Sequence, residues 1–586
     1  MAGKVAQIRD LINRESLAKT LSGLYDRWRI QRYEKEKEWN ELRNYLFATD
    51  TTKTSNSKLP WKNKTTLPKL TQIRDNLHAN YMDALFPNDS WLKWEGYDLS
   101  AVTASKRKAI EAYMKNKIRE SDFRETVSQL VYDYIDYGNA FGEIVFENKV
   151  RVDPITGEET LLYRGPKLER VSPYDIIFNP TARTFADSPK FTRYLKTLGE
   201  LRKDLEERPD LNYDIGAFEK AVQTRRSITS FRMEDVNKAE GFLVDGFGTL
   251  QEYYQSGLIE ILEFEGDIYD EINDKLLSNR IITIVDRSYV IRNIENPSWL
   301  GKDTKHHVGW RTRPDNLYAM GPLDNLVGLQ YRVDHLENLK ADALDMTIHP
   351  PIVVQGDVEP FEWRPETTIH VPEDGNVSTL PPNSAAFQVN NEIGVLLALM
   401  EEMAGAPREA MGIRSPGEKT AFEVQQLQNA AGRIFQHKVN KFEVEFIEPI
   451  LNMMLEIARR NIDIPELVKI MDDDLGVTDF ISITKEDITA KGKLRPIGAR
   501  HYAARAQLVQ NLMGIFNSPI GQTIAPHVSS KRLAQMVEEY MGFEQYDFIQ
   551  DNVAITEQAE TQRLVQQTQQ TLAIEQATPL EEDIIG

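Results

Sequence analysis

At 586 residues, with 41% hydrophobic and 27% charged, the chain exceeds one hydrophobic core and is too apolar to be disordered. Cysteine is absent, which excludes disulfides, thiolate metal sites and cysteine nucleophiles. The 70 Lys and Arg against 90 Asp and Glu leave −20, the wrong sign for a protein that grips nucleic acid, so DNA is either irrelevant or passes without being held.

No apolar run reaches the ~18 residues of a membrane span, and residues 1–16 carry charges where a signal peptide has its apolar centre. A soluble chain working inside a cell, or inside a particle made there, is expected. The first fifty residues read as helix, with an apolar and aromatic set at Leu21, Leu24, Trp28, Ile30, Tyr33, Trp39, Leu42 and Leu46. Residues 51–74 hold six basic residues and no acid, the pattern of a solvated linker or of a contact strip for an acidic partner or a nucleic-acid end. A helix is expected from Lys69 to Phe86 and a strand at Trp91–Trp94. Helix resumes over 103–137, where the capping-box spacing of Asp122 and Glu125 predicts two helices, and Tyr137-Gly138-Asn139 stops them. Phe141–Glu147 alternates as a strand, 150–187 is strand and turn, 190–240 reads as charged helix, and 257–293 is β-rich. The first 300 residues are thus mixed α/β.

A long helix is expected over 322–347, with Gly321 at its cap, Pro322 in its first turn, and a length of roughly 39 Å. Its apolar stripe is Leu326, Leu329, Val333, Leu336, Ala343 and Met346, and its other face carries Asp324, Asp334, Glu337, Asp342 and Asp345. Pro350-Pro351 ends it. Residues 348–388 alternate short β runs (Ile352–Val354, Thr367–Val371) with Pro and Gly, which predicts a small β module. A shorter helix follows, capped at Asn391, with Ile393, Leu396, Met400 and Met403 on one side. The segment 408–418 breaks regular structure. Thr420 and Glu423 then form a capping box for a helix of about forty residues, near 60 Å, which Pro449 should kink. Residues 478–498 alternate as strands, and the chain is again helical from Arg500 to a Gln/Thr-rich end.

No motif supplies catalytic chemistry. Gly412–Thr420 approaches a phosphate loop, but Glu418 intrudes between glycine and lysine and a helix precedes it. His306-His307 with Asp303 is a poor ligand set, because adjacent side chains diverge, and Asp472-Asp473-Asp474 lacks the calcium-loop pattern. Neither G-x-S-x-G nor HExxH occurs. No catalytic residue, cofactor or metal is expected.

Four segments, YAMGPLDNLVGLQYRVDHLENLKADALD (318–345), SPGEKTAFEVQQLQNAAGRIFQHKVNKFEVEFIEPIL (415–451), DYIDYGNAFGEIVFE (133–147) and VSPYDIIFNPTA (171–182), resemble portal (head–tail connector) proteins of short-tailed, podovirus-like bacteriophages. The resemblance implies an α+β, helix-dominated portal fold assembled as a twelve-membered homo-oligomeric ring at one capsid vertex of the virion, built in the host cytoplasm. By position, 1–318 would be the N-terminal wing, 319–347 and 389–406 the two stem helices, and 348–388 the clip. Residues 407–419 would be the tunnel loop, 420–498 the rest of the wing, and 499–586 the crown and tail. The resemblance also implies partners: double-stranded DNA passing without sequence preference during packaging and ejection, the terminase large subunit, a tail adaptor and the major capsid protein. Asp324, Asp334, Glu337, Asp342 and Asp345 would line the channel, and an acidic bore would repel phosphate. In the tunnel loop Arg408, Arg414, Ser415, Pro416, Gly417 and Lys419 would approach DNA, or its cations would pair with carboxylates of a ring neighbour. Within the clip Glu359, Phe361, Trp363 and Arg364 would serve docking. Against this stand a phage scaffold or adaptor without a DNA channel, and an enzyme with an unrecognised site.

Overall fold

A computed structural model of the chain describes residues 5–8, 14–86, 91–96, 101–152, 157, 159–207, 212–227, 249, 252, 257–271, 273–299, 301, 303–356, 358–361, 368–373, 375–379, 388–404, 434–462, 465–472, 477–488 and 492–496. The chain divides into two compact units, one of residues 1–466 and 483–496, the other of 467–482 and 497–586. Of the second, the described part belongs to a two-stranded sheet of β15 (Glu466–Asp472) and β16 (Val477–Ile483). The first unit is a mixed α/β body with largely antiparallel sheets, an α+β arrangement.

Its larger sheet has the order β5 (Ile176–Phe178), β6 (Lys190–Thr197), β7 (Leu258–Asp270), β8 (Lys275–Val285) and β9 (Tyr289–Glu295), with β1 (Val5–Ile8) parallel to the far end of β7. Both faces of β7 are covered, so its alternation separates two buried environments rather than core from solvent. Leu262 and Phe264 face α1 (Arg14–Leu46), where they meet Leu17, Ala18, Leu21 and Tyr25. Ile259 and Ile261 face the opposite way, toward Leu201 of α5 (Leu198–Glu207) and Phe218 and Ala221 of α6 (Ile215–Ser227).

On that second face the strand turns polar. A buried row crosses the sheet as Thr192, Glu263, Thr283 and Arg292, one residue per strand, with Lys190 and Glu265 beside it. The smaller sheet, β10 (Lys305–Gly309), β3 (Asn139–Val152) and β4 (Glu159–Val171), brings Lys305 opposite Glu143 and against this row. The Lys305 ammonium lies 2.7 Å from Glu263, 2.5 Å from Glu265 and 3.3 Å from Glu143. Tyr194 donates to Glu143, Arg292 lies 3.6 Å from Glu263, and Lys190 pairs with Asp303. Although burial works against its charge, the three carboxylates hold the lysine pKa well above its usual value.

Helices close the smaller sheet. α2 (Lys69–Leu85), α3 (Ala101–Glu120) and α4 (Phe123–Asp136) precede it, and α9 (Glu448–Asn461) packs on β3 and β4. Ile450, Leu451, Met454 and Leu455 are buried on several sides of α9. It continues helical residues 434–442 through a π turn at Glu443–Ile447, immediately before Pro449. The wider turn absorbs the proline where the sequence predicts a kink. β2 (Leu92–Gly96) pairs antiparallel with β17 (Gly492–Pro496), and α10 (Lys485–Ile488) precedes β17. Within 478–498, expected as strands throughout, a helical turn therefore intervenes.

Three other expectations change. Residues 190–197 form a strand, not the start of a helix: Phe191, Thr192 and Tyr194 suit a pleated surface, and the neighbouring β5 and β7 complete it. Ile30 and Tyr33, two of the apolar and aromatic set of α1, are exposed, whereas Leu21, Trp39, Leu42 and Leu46 are buried. Gly321 is no helix cap. It follows β12 (Asn316–Met320), which pairs with β11 (Arg311–Arg313), and α7 (Val327–Ile348) begins only after a 3₁₀ turn at Asp324–Leu326. Gly321 is needed for contact: a Cβ there would sit 2.8 Å from the Ile135 carbonyl, and one on Gly138 (φ +68°) would sit 2.3 Å from the Gly321 nitrogen.

Burial raises Glu265 from 4.5 to about 7, opposed by Lys305 and reinforced by Asp303. A carboxyl that holds its proton more tightly when folded stabilises the fold fully below its ordinary pKa, and loses that contribution as pH rises through the folded value. The melting temperature should therefore fall between about pH 5 and pH 8, and Glu265→Gln should flatten the fall in calorimetry. Lys305→Met, which strands three carboxylates, should cost about 3–5 kcal/mol in denaturant unfolding.

Candidate functional site: the long helix and its strap

α7 is the longest helix of the segment in which the sequence places the channel. Its N-terminal half is anchored by Leu326, Val333 and Leu336, all buried. α8 (Val389–Met403) lies beside it, joined by Arg332 to Glu392 at 3.3 Å and by Lys340 to Asn390 at 3.2 Å. Between the two helices, β13 (Ile352–Gln355) pairs with β14 (Asn376–Thr379). The β module expected at 348–388 is thus a hairpin, with its second strand nearer the C-terminus than the expected run at 367–371.

The polar face of α7 is not open. Gln330, Asp334, Asn338 and Asp342 recur every four residues and form a ladder that binds the extended segment 62–67 by its backbone. Leu67 N–H donates to Asp334 (3.0 Å) and its carbonyl accepts from Gln330 (2.6 Å). Thr65 makes both backbone bonds to Asn338, each 2.8 Å. The N–H groups of Lys62 and Asn63 donate to the two oxygens of Asp342 at 3.0 and 2.9 Å. The geometry has a simple cause. Four helical residues rise about 6 Å and two extended residues advance about 6.6 Å, so rungs at 334, 338 and 342 match strap residues 67, 65 and 63. Trp61 Nε1 donates to His335 (3.0 Å), and Asn63 Nδ2 reaches Asp345 (2.9 Å). Asn56 donates to the Tyr331 carbonyl (3.2 Å).

Each acid expected to line a channel thus has a local role. Asp334, expected to line the channel, is buried in the single chain beneath Thr66 and Leu67. Burial raises it to about 6, although its bonds from Leu67, Thr66 and Gln330 pull the other way. For Asp342 burial also acts upward, but the N–H groups of Asn63 and Lys62 outweigh it and the pKa is lowered. Asp324 accepts from Gly321 N–H and pairs with Lys35 at 3.0 Å, and Glu337 pairs with Lys340 at 2.6 Å. Asp345 is exposed. The physical reason is pairing of donors with acceptors: 51–74 has no carboxylate to compete, and its backbone N–H groups meet the acceptor stripe of α7.

Glu359 is exposed and Phe361 half-buried. Trp363, Arg364 and all the loop residues Arg408, Arg414, Ser415, Pro416, Gly417 and Lys419 lie outside the described residues, as do 420–433 and 499–586. His307 is half-buried among Phe141, Phe178 and Phe185 and shares a 3.0 Å hydrogen bond with Asn139, while Asp303 is taken by Lys190. Burial lowers His307 to about 3, so the ring stays neutral.

Sequence reasoning missed Gln330 and Asn338 as rungs. The available signal was the four-residue spacing of acceptors opposite an acid-free segment. It also missed the buried Glu143, Glu263, Glu265 group, whose ligand atoms lie within 4.8 Å of one another around the Lys305 ammonium. Among the described residues no helix is long and apolar enough to cross a membrane.

Both helices also leave apolar side chains exposed. Leu344, Met346 and Ile348 on α7 are 48, 53 and 61% exposed, and Val395, Leu399 and Met403 on α8 are exposed as well. Six large apolar side chains of this helix pair are thus bare in the single chain. Compared with known proteins, the chain matches no family model and no curated protein.

Removing one rung tests the strap. Asn338→Ala should free both Thr65 bonds, cost roughly 1–2 kcal/mol, and increase tryptic cleavage at Lys62 and Lys64 several-fold while the rest of the chain stays resistant. Unchanged cleavage would mean that the strap is held by other contacts.

Proposed function

We propose that this chain is the subunit of a portal, a ring at one vertex of a tailed-phage capsid. Through it double-stranded DNA is packaged and ejected, and on it the terminase, a tail adaptor and the capsid protein dock. The observation that carries the reading is the exposed apolar surface of α7 and α8, in a segment whose sequence resembles portal stems. In a closed ring each subunit offers one face to each neighbour, and an apolar helix pair suits such a contact. The order of elements supports the same reading: a mixed α/β body, a long helix, a β hairpin and a second helix. In this reading 348–388 is the docking clip and the chain is a structural component of the virion with no catalytic role.

Negative-stain microscopy of the purified full chain should show rings with a central hole, and monomers at every concentration would overturn the reading. The paired substitution Leu344→Asp and Val395→Asp should abolish rings while leaving the melting temperature of the monomer within a few degrees, because both side chains are exposed before assembly. Mass photometry of the variant checks this.

A further inference from the structure

The strap reverses the sign of the surface that α7 offers. Its rungs hold residues 62–67 by their backbone and by the Asn63 and Thr66 side chains, so the strap's lysine side chains are not what fixes it. Residues 51–68 contain Lys53, Lys58, Lys62 and Lys64 and no acid. Lys64 donates to the Leu59 carbonyl. The other three are exposed, and none has an ion-pair partner among the described residues. Trp61 fixes this stretch against His335 by a hydrogen bond and a ring contact at 5.3 Å, and Asn56 ties the preceding turn to Tyr331. Three ammonium groups are therefore presented from one short, anchored segment. Beneath them the negative charge of Asp334 is buried and that of Asp342 is bound by two N–H groups.

We infer that residues 53–62 form a contact strip for the phosphodiester backbone of DNA, with Lys53, Lys58 and Lys62 as the phosphate ligands. This deepens the portal reading, on which it rests, by naming where a chain of net charge −20 meets its cargo. The contact is sequence-independent, since ammonium groups on a backbone-held strip reach phosphates and read no base edge. Three contacts per subunit are few enough to make and break as DNA moves.

The test is binding of a short fluorescent DNA duplex to the full chain, measured over a range of salt. Each phosphate neutralised contributes about 0.9 to the slope of log K against log salt, so Lys53→Gln/Lys58→Gln/Lys62→Gln should lower the slope by about 2.7. These ammonium groups bond nothing in the fold, so unfolding of the variant is not expected, and circular dichroism checks it. The control is Lys19→Gln/Lys115→Gln/Lys493→Gln, which removes the same charge from exposed positions elsewhere and should leave the slope nearly unchanged. Equal loss of slope in both variants, or loss in neither, overturns the inference, and the second result with retained binding of an acidic protein would reassign the strip to that partner class. Ring formation is scored separately: rings whose DNA slope ignores the strap refute this inference alone, whereas absence of rings refutes the portal reading whatever the slope.

Discussion

The body of this protein is organised around one buried lysine. Lys305 enters from the smaller sheet and is met by Glu143 beside it and by Glu263 and Glu265 from the larger. An ammonium group inside a protein is tolerated only with such partners, and three carboxylates without it would repel one another. Each side therefore requires the other, which fixes how the two sheets meet. Tyr194, Arg292 and the Lys190–Asp303 pair complete the group, and Glu265 takes up the remaining imbalance by holding a proton to unusually high pH. β7 is what makes this possible. It buries apolar residues against α1 on one face, and on the other changes from Ile259 and Ile261 to Glu263 and Glu265 just where the second sheet arrives.

The same economy of charge operates along α7, where an acidic helix and an acid-free segment meet through backbone bonds rather than ion pairs. Carboxylates that accept N–H groups are satisfied without consuming lysine side chains, so the strap keeps its positive charge outward. An acidic face that would repel a polyanion thereby becomes the seat of a basic strip. Both helices of the pair also keep apolar side chains exposed: Leu344, Met346 and Ile348 on α7, and Val395, Leu399 and Met403 on α8. In the portal reading these two regions divide the work of one element between cargo and assembly.

Much of the local structure was legible in the residues. The helix within the first fifty, the break at Asp122, the strand after Gly138, the β-rich stretch after 257 and the long helix before Pro350 all follow from periodicity and punctuation, which act over a few residues. The errors lie where a contact across the chain overrides those signals. Residues 190–197 look like charged helix, yet pair with β7 some seventy residues later. Gly321 looks like a cap, yet is required because the Gly138 turn presses against it. Ile30 and Tyr33 lie exposed on α1 between buried positions at Tyr25 and Trp39.

The sequence by itself therefore determined most of the helix and strand segments, the absence of thiol chemistry, and an acidic face on a long helix. Only the tertiary structure decided what covers that face. Residues 62–67 and 334–342 are separated by more than 260 positions, and no local pattern states that they are neighbours. The same holds for Lys305, an ordinary basic residue beside two histidines until β3 and β7 place three carboxylates around it. Periodicity records how a segment is buried; the charge of a surface depends on what comes to lie over it, and that is settled only when the chain closes on itself.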